Sequence, residues 1–374
     1  MSNKLKFIDQ RKSNFYATVK ERVEQYFSSR KISKNANFAM YCKVAFFLLG
    51  AFALYITIIS GVLLPNLWLM YACCILLGVF GAMIGFNVSH DAIHGSFSQN
   101  ASVNRLLSAS FYFIGANPYM WNITHNVVHH TFTNIPGHDE DIEVAPGLIR
   151  LSPAEKATPI QKYQHYYAFL LYGLAAISWI FRKDFKKFFQ KKIGNYNNSQ
   201  HSASAYFNLF FFKFLYYFLT IAVPIIMLPT ITWWQFLFGY VSLQLVKGFV
   251  IGLVFQLAHV VEGTDFPEPN EDGNIEEAWA IHQMCTTANF ARKSWLATFL
   301  CGGLNMQIEH HLFPKICHIH YPAISEIVQK TAIECGVPYI ENETFGGALA
   351  SHYAMLKRFG TGDSFPFQAR TAVA

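Results

Sequence analysis

Eight histidines in this chain are spaced so that their imidazoles can be aimed in groups at common points. HDAIH holds His90 and His94, HNVVHH holds His125, His129 and His130, QIEHHLFP holds His310 and His311, and a lone His259 closes a long apolar run. Neutral imidazole is a common metal ligand, and a spacing of four on a helix stacks two rings on one face. On that geometry His90 pairs with His94 and His125 with His129, while His130 turns about 100° away, toward a second point. His310 and His311 diverge in the same manner. Eight histidines so arranged imply more than one metal ion, and imidazole suits zinc, copper, iron or nickel. A closed structural zinc site takes four ligands, commonly with cysteine, and has no use for eight histidines. Two redox-active ions beside a bilayer point to oxygen chemistry on a lipid chain. Asp91, Glu262 and Glu309 adjoin these histidines and are candidates to orient imidazole N–H groups, with ordinary solvated acids as the competing reading. His165, His201 and His352 stand alone and read as hydrogen-bonded structural histidines.

The clusters are far apart in the chain, so the fold must gather them, and composition says what kind of fold that is. The 374 residues are 52% hydrophobic and only 14% charged, which argues against a water-soluble chain of this size and marks an integral membrane protein. Aromatic residues at 17% suit apolar cavities and anchoring at the membrane interface alike. Seven cysteines without a CxxC pair indicate neither a disulfide framework nor a thiolate metal site, and they fit a reducing compartment. The net charge of +6 is distributed as membrane topology requires, and no nucleic-acid partner is expected. The first residues lack the apolar core and cleavage site of a secretory signal, so the first span is expected to act as its own insertion signal.

In order, residues 1–39 form a polar, basic segment in which TVKERVEQYF has helical periodicity. Apolar runs over about 40–64, 68–88, 207–228 and 233–258 are each long enough to cross a hydrocarbon core of about 30 Å. Runs at 105–114 and 166–180 are shorter and read as buried or interfacial. If the histidines build one site, the number of crossings between any two clusters is even, so neither short run crosses. The expectation is an all-α integral membrane protein: four transmembrane helices, both termini on one side, and a helical cap carrying a di-metal site. The membrane domain is assigned to 40–325 and a C-terminal segment to 326–374. Lysine and arginine are absent from the two outer reversals and concentrate in the other segments, which places cap and histidines on the cytoplasmic side. Lys247 lies mid-span, where a charge costs about 2.5–3.5 kcal/mol; a functional role and a bundle-internal partner are both open. The basic run Arg182–Lys192 reads as topological anchoring, with phosphate binding as the alternative.

HDAIH, HNVVHH and QIEHH resemble the three histidine boxes of the membrane-bound fatty acid desaturases. Gln307 at the head of the third box, within GGLNMQIEHHLFP, is similar to the front-end branch and its bacterial acyl-CoA or acyl-lipid relatives. The resemblance covers about residues 40–325. It implies a non-haem di-iron centre that activates O2, takes two electrons from a partner, and removes two hydrogens from adjacent methylenes of a fatty acyl chain carried on CoA or on a membrane lipid. The implied ligands are His90, His94, His125, His129, His130, His310 and His311, with His259 as the further histidine beyond the last span. Gln307 binds metal directly, through water, or not at all. Many front-end enzymes carry a fused haem module with an HPGG motif; no His-Pro pair occurs here, so electrons are expected from a separate ferredoxin or cytochrome with its reductase. Trp279, His282 and Gln283 in WAIHQM resemble a segment near the acyl channel, and His318 and His320 are candidate outer partners of the ligands.

Two other readings use the same residues. Hydroxylation of a lipid or alkane needs the same oxygen activation and differs in the fate of the substrate. A metal transporter would place histidines and acids at mid-membrane depth, often in repeats, whereas here they cluster at span ends and no repeat is evident.

Overall fold

The computed structural model describes residues 5–141, 145, 147–152 and 155–362. Glu143, at the end of the acidic stretch after the second box, lies outside them, as do the last residues of the C-terminal segment. Helix α1 (Phe15–Arg30) leads to α2 (Phe38–Ile59) and α3 (Leu67–His94), then to short α4 (Ala101–Ser108) and α5 (Ser110–Phe113). Helix α6 (118–132) carries the second box, α7 (164–189) and α8 (Ala203–Met227) follow, and α9 (Trp233–His259) packs along α3 and α7. Beyond His259 come α10 (Trp279–Thr286), α11 (Trp295–Cys301), α12 (Gln307–Leu312), α13 (Tyr321–Glu334) and α14 (Phe345–Thr361). Among the described residues, strand contributions are two-residue ladders, such as Lys6–Phe7 beside Asn274–Ile275.

Helices α2, α3, α8 and α9 are long and apolar enough to cross a membrane, in agreement with the four runs read from sequence. Each opens on a side-chain cap: Asn37, Asn66, Ser202 and Thr232 accept from the backbone N–H of Met40, Leu69, Ala205 and Gln235. Such caps satisfy donors that the first turn leaves open. The first span stops at Ile59 rather than 64, because the chain turns at Gly61 with φ +76°. The second runs on past 88 to His94, so the first box is an extension of a membrane helix. At about 1.5 Å per residue it is about 42 Å long, which exceeds the hydrocarbon core and lifts its last turns clear of it. Helices α3 and α9 approach so closely that a Cβ on Gly78 would lie 2.4 Å from the Leu243 carbonyl oxygen.

Lys247 has a structural partner set. Its Nζ donates to the Ile114 carbonyl at 2.7 Å and lies 3.2 Å from the Tyr216 hydroxyl. Lys213, on α8, donates to the Gly115 carbonyl at 2.8 Å and pairs with Asp184 at 2.9 Å, and Asp184 accepts the Asn117 N–H. Two buried lysines thus grip the hinge at 114–117, which only glycine can turn at 115 (φ +90°), immediately before the second box.

His201 and His352 are hydrogen-bonded, as lone histidines were expected to be. His165 instead lies between the rings of Tyr166 and Tyr353, and its Nδ1 has no partner. His352 clamps α14 against the core: Nδ1 donates to the Val260 carbonyl at 2.7 Å and Nε2 meets the Tyr172 hydroxyl at 2.9 Å. Burial holds this imidazole down at about 4, against 6.5 for the free side chain. A depressed histidine is neutral in the fold, so its stabilisation is intact above the unfolded pKa and drains away between pH 6.5 and 4, by about 3 kcal/mol at most. The Tm gap between wild type and His352→Gln in detergent is therefore expected to narrow as pH falls through that window. A gap independent of pH would contradict the clamp.

Candidate metal centre

The first box is carried by a helix that changes pitch on the way. Residues Gly85–Ser89 are wound as a π turn, the His90 N–H reaching back five residues to the Gly85 carbonyl, and α-winding resumes over His90–His94. His90 and His94 then stack as the spacing requires, ring centroids 4.7 Å apart. In the second box π-winding continues through Asn122–His129, and the His130 N–H bonds to the His125 carbonyl. One expectation holds only in part. His125 and His129 stack, ring centroids 5.1 Å apart, but they fall in different groups, and the extra residue per turn brings His125 and His130 together, Nε2 to Nε2 at 3.2 Å. The third box is a short helix on which His310 and His311 diverge, interplanar angle 90°.

Two groups of imidazoles result. His90, His94, His125 and His310 form one, and His129, His259 and His311 the other; within each, one ring nitrogen per residue lies within 4.8 Å of the rest. His130 stands between them, ring centroids 4.6 Å from His310 and 4.3 Å from His311. Gln307 completes the second group, its amide nitrogen 3.0 Å from His259 Nε2 and 3.3 Å from His311 Nε2. All of these side chains are buried.

Hydrogen bonds fix several of the rings from outside. His129 Nδ1 donates to Asp139 at 2.9 Å, His311 Nδ1 to Gln283 Oε1 at 2.6 Å, and His259 Nδ1 to the Thr286 carbonyl at 3.3 Å; His310 Nδ1 lies 3.2 Å from the Tyr321 hydroxyl. The opposite nitrogens of His129 and His310 have no hydrogen-bond partner, nor do both nitrogens of His90, Nε2 of His94, and Nδ1 of His125 and His130. Buried nitrogens without partners, on rings oriented from behind, are what a metal-binding imidazole presents. Electrostatics agree with neutral donors: burial first, then neighbouring rings, hold His125, His130, His310 and His311 well below the usual histidine range. For His129 burial is outweighed by the charge and hydrogen bond of Asp139, and the net shift is upward. The residues present fit two metal ions.

The other candidates separate by geometry. Asp91 accepts from His318 Nδ1 at 2.9 Å and from the Cys317 thiol at 3.0 Å, tying the first box to the chain beyond the third; its other oxygen is 3.7 Å from His90 Nδ1. Gln283 touches His311 directly. Trp279 donates from Nε1 to the His130 carbonyl at 3.1 Å, and His282 packs on Phe7, ring centroids 5.0 Å apart. Glu309 faces away from the rings toward Asn289 and Tyr339, and burial pushes its carboxyl up to about 7. His320 bonds the Asn35 carbonyl. Glu262 is not beside the centre: the chain turns after α9 and Glu262 pairs with Arg358 at 2.8 Å, half-exposed. The basic run at the end of α7 meets the acidic stretch at two points, Lys183 reaching Asp141 and Lys187 reaching Glu140. Asp139, Tyr321 and Thr286 were not singled out from sequence. Only Asp139 carried a signal, as an acid following HNVVHH within a short loop.

The sequence matches the family model described as fatty acid desaturase over residues 66–343. It is 38% identical to an acyl-lipid (8-3)-desaturase of Physcomitrium patens over 95% of this chain and 74% of that protein. Against an sn-1 linoleoyl-lipid 6-desaturase of Synechocystis sp. the identity is 33% over 96% of this chain and 98% of the relative. An acyl-lipid (8-3)-desaturase B of Dictyostelium discoideum is 30% identical over 93% and 76%. The chain belongs to the fatty acid desaturase family and is a membrane oxidoreductase that desaturates fatty acyl chains.

Proposed function

We propose that this desaturase holds two iron ions, one on His90, His94, His125 and His310 and one on His129, His259 and His311, with His130 between them and Gln307 filling the open place of the second group directly or through water. Two irons bound there supply the oxygen activation that removes two hydrogens from adjacent methylenes. The chain's own residues do the rest. Asp139, Gln283, Thr286 and Tyr321 present the ligating nitrogens in fixed directions, which preorganises the site. Trp121 stacks on His125, ring centroids 4.1 Å apart, and Phe255 lies across it, so aromatic surface keeps water from the first group. Burial holds His125, His130, His310 and His311 neutral and therefore able to donate to metal. The single observation that carries this reading is the set of buried ring nitrogens without hydrogen-bond partners within the gathered imidazoles.

The substrate is read as an acyl chain on a membrane lipid, with the new double bond near the carboxyl end. The names of the relatives support this, since they specify acyl-lipid substrates and, in one case, 6-desaturation. Electrons come from a separate ferredoxin or cytochrome, and the cap faces the cytoplasm, in keeping with the distribution of lysine and arginine.

Two experiments test these assignments. Purified His129→Ala and His310→Ala are expected to lose all unsaturated product and about half of the bound iron, while Asp139→Asn weakens iron binding by about 10–100-fold with the ligand itself retained. Full iron content in all three would contradict the ligand assignment. Expression in a host of defined acyl composition, followed by mass spectrometry of intact lipids, is expected to give lipids lighter by two hydrogens with unchanged head groups. A product heavier by one oxygen would instead favour hydroxylation, and product confined to acyl-CoA would contradict the lipid-linked substrate.

A further inference from the structure

Helix α11 is too short to cross a membrane and sits in what otherwise reads as the cap, yet its surroundings are those of a membrane helix. Phe299 packs against Phe47 and Phe46 of the first span, ring centroids 5.6 and 6.4 Å apart. Both phenylalanines also pack on Phe80 of the second span, at 5.8 and 5.7 Å. Phe80 precedes His90 by ten residues, so at about 1.5 Å per residue the contact lies about 15 Å below the metal centre along α3. Lys43, one turn before Phe46 and Phe47, sends its ammonium upward to His318 Nε2 at 3.0 Å. The polar cap therefore meets the spans at Lys43, and α11 lies beside the next turn toward the membrane centre.

On its outer side α11 exposes Trp295 (76%), Leu296 and Leu300, and this surface continues into exposed Phe46 and Leu49 of the first span. Several backbone groups at the ends of the helix are paired within the chain. The Ser294 side chain accepts the Ala297 N–H at 3.2 Å, and Asn87 of the second span donates to the Leu300 carbonyl at 3.0 Å. The Gly303 N–H bonds the Thr298 carbonyl at 3.1 Å. Backbone groups paired this way are a condition of residence in hydrocarbon. Gly302, at φ +60°, presses against the second span, where a Cβ would lie 2.4 Å from the Phe86 carbonyl oxygen.

We infer that α11 is a non-spanning membrane segment: it dips into the leaflet on the cap side, and Trp295, Leu296 and Leu300 contact lipid acyl chains there. The chain descends from α10 into the leaflet, returns at Gly302 and Gly303, and enters the third box at Gln307. The segment that delivers His310 and His311 is thereby anchored in the same layer that holds acyl chains. This goes beyond the activity assigned above and fails independently of it, because a desaturase with a water-facing α11 remains a desaturase.

The test is tryptophan quenching of the full chain in lipid nanodiscs. The difference between wild type and Trp295→Phe isolates one indole, and Trp295→Phe/Leu296→Trp moves the reporter by one position. Acyl-brominated phosphatidylcholine is expected to quench the isolated signal at least about two-fold, as for a tryptophan at the membrane interface or deeper, while aqueous acrylamide leaves it nearly unchanged. Quenching by acrylamide but not by bromine would overturn the inference. Quenching by neither, at both positions, would overturn it as well, since the surface would then be covered by protein.

Discussion

The structure turns on the burial of imidazole nitrogens that have nothing in the chain to bond. Seven nitrogens, on six rings of the three boxes, are buried without a hydrogen-bond partner; of these His90 Nδ1 lies 3.7 Å from Asp91 and His125 Nδ1 4.0 Å from Asp141. Each buried polar atom left in this condition costs about 1–3 kcal/mol, so the set costs on the order of 10 kcal/mol, as much as the net stability of a typical domain. Protonation does not relieve it, because burial and the crowding of rings oppose charge on His125, His130, His310 and His311. Cations that accept electron pairs from neutral rings do relieve it. The membrane helices, the helices beyond His259 and the outer hydrogen bonds are then the means of holding an otherwise unfavourable constellation in place.

Helical pitch distributes the rings. Two of the boxes are reached through π-winding, at Gly85–Ser89 and Asn122–His129. In the second box the widened turn sets His125 and His129 on different groups and leaves His130 between them. The same helix is held upstream by Lys213 and Lys247, whose side-chain nitrogens donate to the carbonyls of Gly115 and Ile114. Polar side chains that are costly inside a membrane thus fix the hinge that aims the second box.

Much of this was legible in the sequence, and physics explains the remainder. Hydropathy shows the four spans because apolar length is a property of composition. His90, His94, His310 and His311 were placed correctly because α-helical spacing held over those residues. His125 and His129 stack as read but divide between the two groups, which spacing missed because nothing in NITHNVVH announces a π turn. Asp139 and Tyr321 act through tertiary contact across loops, which spacing does not encode. Glu262 shows the opposite error: it is close to His259 in the chain, but the turn after α9 carries it to Arg358. Lys247 looked anomalous only because its carbonyl partner belongs to a distant segment.

The central claim is that two irons bridge the distance between these three boxes. Anomalous diffraction at the iron edge, from crystals of the iron-loaded chain, tests it most directly. Two peaks are expected, one among His90, His94, His125 and His310 and the other among His129, His259 and His311. A single peak, or iron away from both groups with the rings still gathered, would contradict it.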